Sequence, residues 1–160
     1  MPGTIDQRLS ETAFELIHVR DRAAEQGNAQ QNTAGQNGDE QTPAAKFKKY
    51  KSFAFSFPAL IHTCGLMQAV VFAQIKAKES DNYLKDFKDT IKEIEPDIVA
   101  AQENNNGNAQ DNQDDIECAR LIDNIRTADV HEYMRLSARA LIAASWLKRW
   151  CQALGGDEVD

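Results

Sequence analysis

The passage FPALIHTCGLMQAVVFAQI, Phe57–Ile75, decides how this chain folds. It is the most concentrated apolar run in the sequence, and it holds His62 and Cys64 two residues apart between Pro58 and Gly65. Three readings compete: a membrane span, a Cys–His site, or a corner between packed helices. Residues 52–75 carry no formal charge and lysines flank them, which suits the length of a span. Ser56, Pro58, His62, Thr63, Gly65, Gln68 and Gln74 interrupt that run, however, and polar groups in lipid are costly unless other helices satisfy them. A hairpin in the core of a helical bundle explains the same residues without that cost.

Within such a hairpin Pro58 should kink the helix or open a new turn, because it lacks an N–H and crowds the preceding turn. Gly65 suits a left-handed terminating residue, which places a corner between His62 and Leu66. Side chains two apart on a helix point in different directions, so His62 and Cys64 do not converge on a metal. A closed zinc site also needs four ligands, and His18, His131, Cys118 and Cys151 show no paired spacing. Cys64 then reads as a small buried hydrophobe and His62 as a polar residue at a helix end. No nucleophile elbow, Gly-rich phosphate loop or HExxH helix is present. Asp86 and Asp89 alternate with Lys85, Lys88 and Lys92, the pattern of a solvated helix face. The expectation is a protein with no catalytic residue, cofactor or metal.

Outward from the apolar passage, helical periodicity dominates. TIDQRLSETAFELIHVRDRAAEQ opens with the capping-box pair Thr4 and Gln7, and Ile5, Leu9, Ala13, Leu16 and Ala23 form a stripe widened by Phe14 and Ile17. SDNYLKDFKDTIKEIEP places Tyr83, Leu84, Phe87, Ile91 and Ile94 on one side before Pro96 halts it. IECARLIDNIR is shorter. The final helix begins with Asp129 and Glu132 in capping positions, and Tyr133, Leu136, Ala140, Ala143, Leu147 and Leu154 mark its stripe. No segment alternates at the period of a strand. The predicted fold is all-α: a compact bundle of about six helices in a single domain, 1–160, with long polar loops at 27–42 and 102–115. Twelve of the sixteen residues in 27–42 are Asn, Gln, Gly, Asp or Glu, so little there can offset the entropy of ordering. The start, MPGTIDQRLSE, lacks the basic and apolar regions of a signal peptide, and three scattered cysteines suit a reducing compartment. Both point to the cytoplasm, with no membrane partner.

The net charge of −7 conceals strong segregation. Residues 44–78 carry +6 without one acidic residue, and residues 116–154 carry +2, whereas 1–43, 79–115 and 155–160 carry −4, −8 and −3. A polyanion responds to a contiguous patch more than to the total. KFKKYKSF supplies Lys48, Lys49 and Lys51 beside Phe47 and Tyr50, and the last helix supplies Arg139, Lys148 and Arg149. These six are the candidate nucleic-acid contacts.

The order YKSFAFSFPALIHTCGLMQAVVFAQIKAK, a variable middle, then YMRLSARALIAASWLKRWCQAL resembles the small subunit of the type III-B (Cmr) CRISPR RNA-silencing complex. The residues that carry the resemblance are Tyr50, Pro58 with Ile61, Gly65-Leu66 with Gln68, and Trp146 to Arg149. Phe57 departs from the leucine common before the proline, and Thr63-Cys64 from the amide residue common before the glycine. The resemblance implies a non-catalytic helical subunit supporting antiviral defence, whose copies stack along a ribonucleoprotein filament. Its implied partners are other Cmr subunits, neighbouring copies of itself, CRISPR RNA and target RNA. Trp146 and Trp150 belong in the core or at a subunit interface rather than on bases. Two other classes remain open: a protein-only helical adaptor, and a small helical hydrolase using His62 and Cys64.

Overall fold

The computed structural model describes residues 3–29, 42–100 and 112–154. Among these the fold is all-α: α1 (Ile5–Ala29), α2 (Pro43–Cys64), α3 (Leu66–Ile75), α4 (Tyr83–Lys92), a 3-10 turn (Pro96–Val99), α5 (Gln113–Thr127) and α6 (Val130–Leu154). The expected loops are shorter at their edges, since Gly27 to Ala29 extend α1 and Gln113 to Asp115 open α5. The rest of those spans, 30–41 and 102–111, lies outside the described residues.

Local chemistry sets the helix starts. Thr4 N–H donates to Gln7 Oε1 at 2.8 Å while Gln7 N–H donates to Thr4 Oγ1 at 3.3 Å, a reciprocal capping box. Thr42 caps α2 by accepting from Ala45 N–H at 3.1 Å, with Pro43 in the first turn where its missing N–H costs nothing. Asp129 Oδ1 accepts from Glu132 N–H at 2.9 Å at the start of α6.

The apolar passage Phe57–Ile75 forms the expected corner. α2 runs through Pro58 without interruption to Cys64. The break comes at Gly65, whose φ of 85° and ψ of 161° are conformations that L side chains rarely adopt. Its N–H closes the last turn of α2 on Ile61, and its carbonyl receives Ala69 N–H to begin α3. The Tyr133 hydroxyl of α6 accepts Met67 N–H at 3.1 Å, satisfying one of the orphan donors at the start of α3. Cys64 is exposed, as are His62 and Thr63, which corrects the reading of Cys64 as a buried hydrophobe. The last turn of α2 buries Ile61 and aims Cys64 away from the core.

The long helices form the body of the bundle. Asp6 meets Trp146 and Ser10 meets Trp150, so α1 and α6 run parallel. Arg20 lies over the Tyr50 ring at 4.3 Å and a Cβ on Gly27 would stand 2.8 Å from Pro43, so α1 and α2 run antiparallel. Leu9, Ala13, Ile17 and Ala24 are the buried face of α1, while Ile5 and Ala23 are exposed. The stripe is therefore rotated from the expected one. Arg20 explains the rotation: its guanidinium reaches Asp81 at 2.5 Å and Asp86 at 2.6 Å, drawing that face inward.

An aromatic hub fills the centre. The Tyr83 ring lies 5.4 Å from Tyr50, 5.2 Å from Phe53 and 4.9 Å from Phe57, and Phe57 meets Phe87 edge-on at 5.1 Å. Such pairs add about 0.5–1.5 kcal/mol each beyond area burial. α4 is buried nearly all round, which corrects the expectation of a solvated Lys/Asp face: Lys88 is 0% exposed and Asp86 is buried. Lys88 Nζ lies 3.0 Å from Asp89, 3.0 Å from Asp114 and 2.9 Å from Glu117, and Lys92 adds a contact to Glu117 at 3.0 Å. Among the described residues no helix is long and apolar enough to cross a membrane.

Candidate nucleic-acid interface

α2 and α6 pack against each other in opposite directions. Tyr133, near the start of α6, meets Met67 just past the end of α2, and the Cys151 thiol near the end of α6 feels the charge of Lys51 near the start of α2. The two basic segments, far apart in sequence, therefore share one end of the bundle. Helical spacing leaves Phe47 and Tyr50 pointing inward and buried while Lys48 and Lys49 are exposed. Lys51 is half-buried, with its ammonium 5.2 Å from the Phe47 ring centroid. Lys148 is half-buried on α6, and Arg149 is exposed with its guanidinium 5.1 Å from the Trp146 ring. Aromatic faces attract cations in this way.

Arg139 departs from this group. Its Nη1 donates to the Ile94 carbonyl at 3.0 Å and lies 2.9 Å from Glu95, which Arg135 also approaches at 3.6 Å. The guanidinium thus serves as a strut between α6 and the turn after α4. Sequence spacing placed Arg139 on the right helix but could not reveal a partner contributed by a distant turn.

Trp146 and Trp150 lie on the side of α6 that faces α1. Both are half-buried, with indole N–H groups directed at Asp6 Oδ1 (3.4 Å) and Ser10 Oγ (3.3 Å), and they line a shallow cleft of about 400 Å³ with Phe14. That cleft is built from α1 and α6 and takes no residue from α2.

The alternatives offer less chemistry. His62 and Cys64 are exposed on the last turn of α2, and His18 stacks on Phe14 at 5.2 Å. Burial raises the Cys118 thiol to about 11 and the Cys151 thiol to about 12, far from nucleophilic use at neutral pH. Among the described residues, Asp89, Asp114 and Glu117 form the carboxylate group close enough to share a cation. The Lys88 ammonium stands within 3.0 Å of all three. Burial opposes its charge, but hydrogen bonds to Glu117, Asp114 and Asp89 outweigh that and raise its pKa. The hydrogen bond from Lys88, foremost, lowers Glu117 to about 2. The triad is an internal salt-bridge cluster whose cation is already covalently supplied.

A family model described as CRISPR-associated protein (Cas_Cmr5) matches residues 24–154. The chain belongs to this family. It is thus a small subunit of the type III-B Cmr complex, and the resemblance read from Tyr50, Pro58, Gly65-Leu66 and Trp146 to Arg149 is borne out. The fold agrees: a crystal structure of a CRISPR-associated Cmr5 family protein from Thermus thermophilus superposes with a TM-score of 0.60 at 22% identity, covering 95% of this chain and 98% of that one. No curated protein matches the sequence. The family match runs from the last turns of α1 through α6, so both basic segments of this Cas_Cmr5 chain fall inside the shared frame.

Proposed function

We propose that this protein is a non-catalytic Cmr subunit that holds the phosphate backbone of target RNA paired to CRISPR RNA, in copies stacked along the complex. The observation that supports the reading is the antiparallel packing of α2 and α6, in which the segment of α2 with Lys48, Lys49 and Lys51 and the segment of α6 with Lys148 and Arg149 lie toward the same end of the bundle. Lysine and arginine contacts to phosphate position a strand without reading its bases, and base pairing supplies the specificity. Arg139 is left out of this surface because its guanidinium is engaged within the fold. The Trp146/Trp150 cleft between α1 and α6 is suited to a neighbouring subunit.

The test is RNA binding by the full chain as salt is varied. Binding should weaken steeply, by about 0.7 in log–log slope for each single-strand phosphate contact. Reversing Lys48, Lys49, Lys148 and Arg149 to glutamate should lower both affinity and slope while helicity by circular dichroism is unchanged. Equal affinity in that variant would remove the surface and leave the protein-only adaptor.

A further inference from the structure

Phe72 is the one aromatic among the large apolar side chains that the described residues leave exposed, at 42%. It is not a loose ring. It stacks on Phe53 of α2 with centroids 6.0 Å apart and planes 12° from parallel, and Phe53 packs against Tyr83 and Phe57 in the core. The ring is thus fixed in orientation by the protein on one side and open to solvent on another. Helical spacing puts Lys49 one turn before Phe53 on α2, and it puts Ile75 and Lys76 one turn after Phe72 on α3. Ile75 is 73% exposed and Lys78 is exposed in the turn that follows. Neither α2 nor α3 contains a carboxylate. Glu79 pairs with Lys76 at 2.7 Å, and Lys49 and Lys78 are both exposed.

We infer that the α2–α3 face is a stacking platform for single-stranded RNA, with an unpaired base on Phe72 and the adjoining phosphates against Lys49 and Lys78. The inference rests on the RNA-contacting role proposed above and adds what that role lacks, a group that engages bases. A preorganised aromatic ring bordered by lysines is the arrangement that binds single strands without sequence preference, since every base has a π-face. Charge complementarity decides the occupant. An apolar patch meant for a generic protein neighbour gains nothing from two carboxylate-free helices and the exposed lysines Lys49 and Lys78.

The experiment compares the full chain with its Phe72→Leu variant, which keeps apolar bulk and loses the ring, on short oligouridine and on an abasic ribose-phosphate oligomer of equal length. Wild type should prefer oligouridine. Phe72→Leu should lose about tenfold on oligouridine and nothing on the abasic strand, and Phe72→Trp should restore the preference. Equal affinity of Phe72→Leu and wild type for oligouridine overturns the platform, and so does loss of the variant from the assembled complex with RNA affinity intact. If Lys48→Glu/Lys49→Glu still abolishes binding in that case, the phosphate surface stands and only the stacking fails. Wild type that binds neither oligomer overturns both.

Discussion

Lys88 of α4 and Glu117 of α5 meet at 2.9 Å, with the lysine fully out of solvent and the carboxylate nearly so. A buried ammonium is tolerable only because carboxylates from two helices surround it, and removing it leaves them facing one another. Lys88→Ala should destabilise the protein by about 3–5 kcal/mol in urea unfolding. The double variant Lys88→Met/Glu117→Leu should recover much of that loss, because both buried charges go together. A Lys88→Ala loss below about 1 kcal/mol would mean the pair contributes little.

The same pair sets an acid limit. Glu117 is held at about 2 when folded against an ordinary value of 4.5, so its contribution is complete above the ordinary value and is lost as pH falls toward 2. The linked stability is on the order of 2–3 kcal/mol, shared with Lys88 rather than added to it. Thermal midpoints measured from about pH 6 down to about pH 2.5 should fall through this window, and the slope should flatten in Glu117→Gln. A Glu117→Gln profile parallel to wild type would assign the acid sensitivity to other carboxylates.

Cysteine accessibility gives a simple readout of the corner. With Cys64 exposed and both Cys118 and Cys151 buried with raised thiol pKa values, native protein should take up one equivalent of iodoacetamide at neutral pH and three after denaturation. Mass spectrometry should locate the native adduct at Cys64. Rapid native labelling of Cys151 would show that α6 does not seal against α2.

At Gly65 an added Cβ would meet a positive φ of 85° and stand 3.3 Å from the Tyr133 hydroxyl. Backbone strain of this kind costs about 1–3 kcal/mol, so Gly65→Ala should lower the unfolding free energy by that amount. Tyr133→Phe should cost less, since it loses only the bond to Met67 N–H. Indistinguishable stability of Gly65→Ala and wild type would place the corner elsewhere.

Arg139 separates architecture from binding. Arg139→Ala should cost about 1–3 kcal/mol through the lost contacts to Ile94 and Glu95 and leave RNA affinity within about twofold. Lys49→Ala should do the reverse. Exchange of those two outcomes would return Arg139 to the RNA surface.

What the sequence reveals and what it hides divides along contact range. The capping box at Thr4, the cap at Asp129 and the position of the corner at Gly65 depend on residues within a turn of one another and stand as read, although Gly65 takes a ψ of 161° rather than the left-handed helical conformation expected of it. The buried stripe of α6 through Leu136, Ala140, Ala143 and Leu147 is equally local. Apart from Cys64, which its own helix turns outward, the misread features need a distant partner. Lys88 looks solvated until Asp114 and Glu117 are brought to it from α5. The inner face of α1 is displaced because Arg20 reaches 61 residues ahead to Asp81. Of the candidate site, residue types and helices were legible. That Phe72 would stand exposed on a stacked Phe53 was not, because both rings belong to apolar runs that look equally like core.

Asn124 of α5 donates to the carbonyls of Asp97, Ile98 and Ala100, at 3.4, 2.7 and 3.2 Å. On the other side Lys88 grips Asp114 at the head of the same helix. The chain is thus moored on both sides of residues 101–111 by contacts that described residues make with one another. Loop closure grows more costly only with the logarithm of length. For protein engineering this is a splice point: a fluorophore tag or affinity peptide inserted there should leave the bundle's unfolding midpoint unchanged.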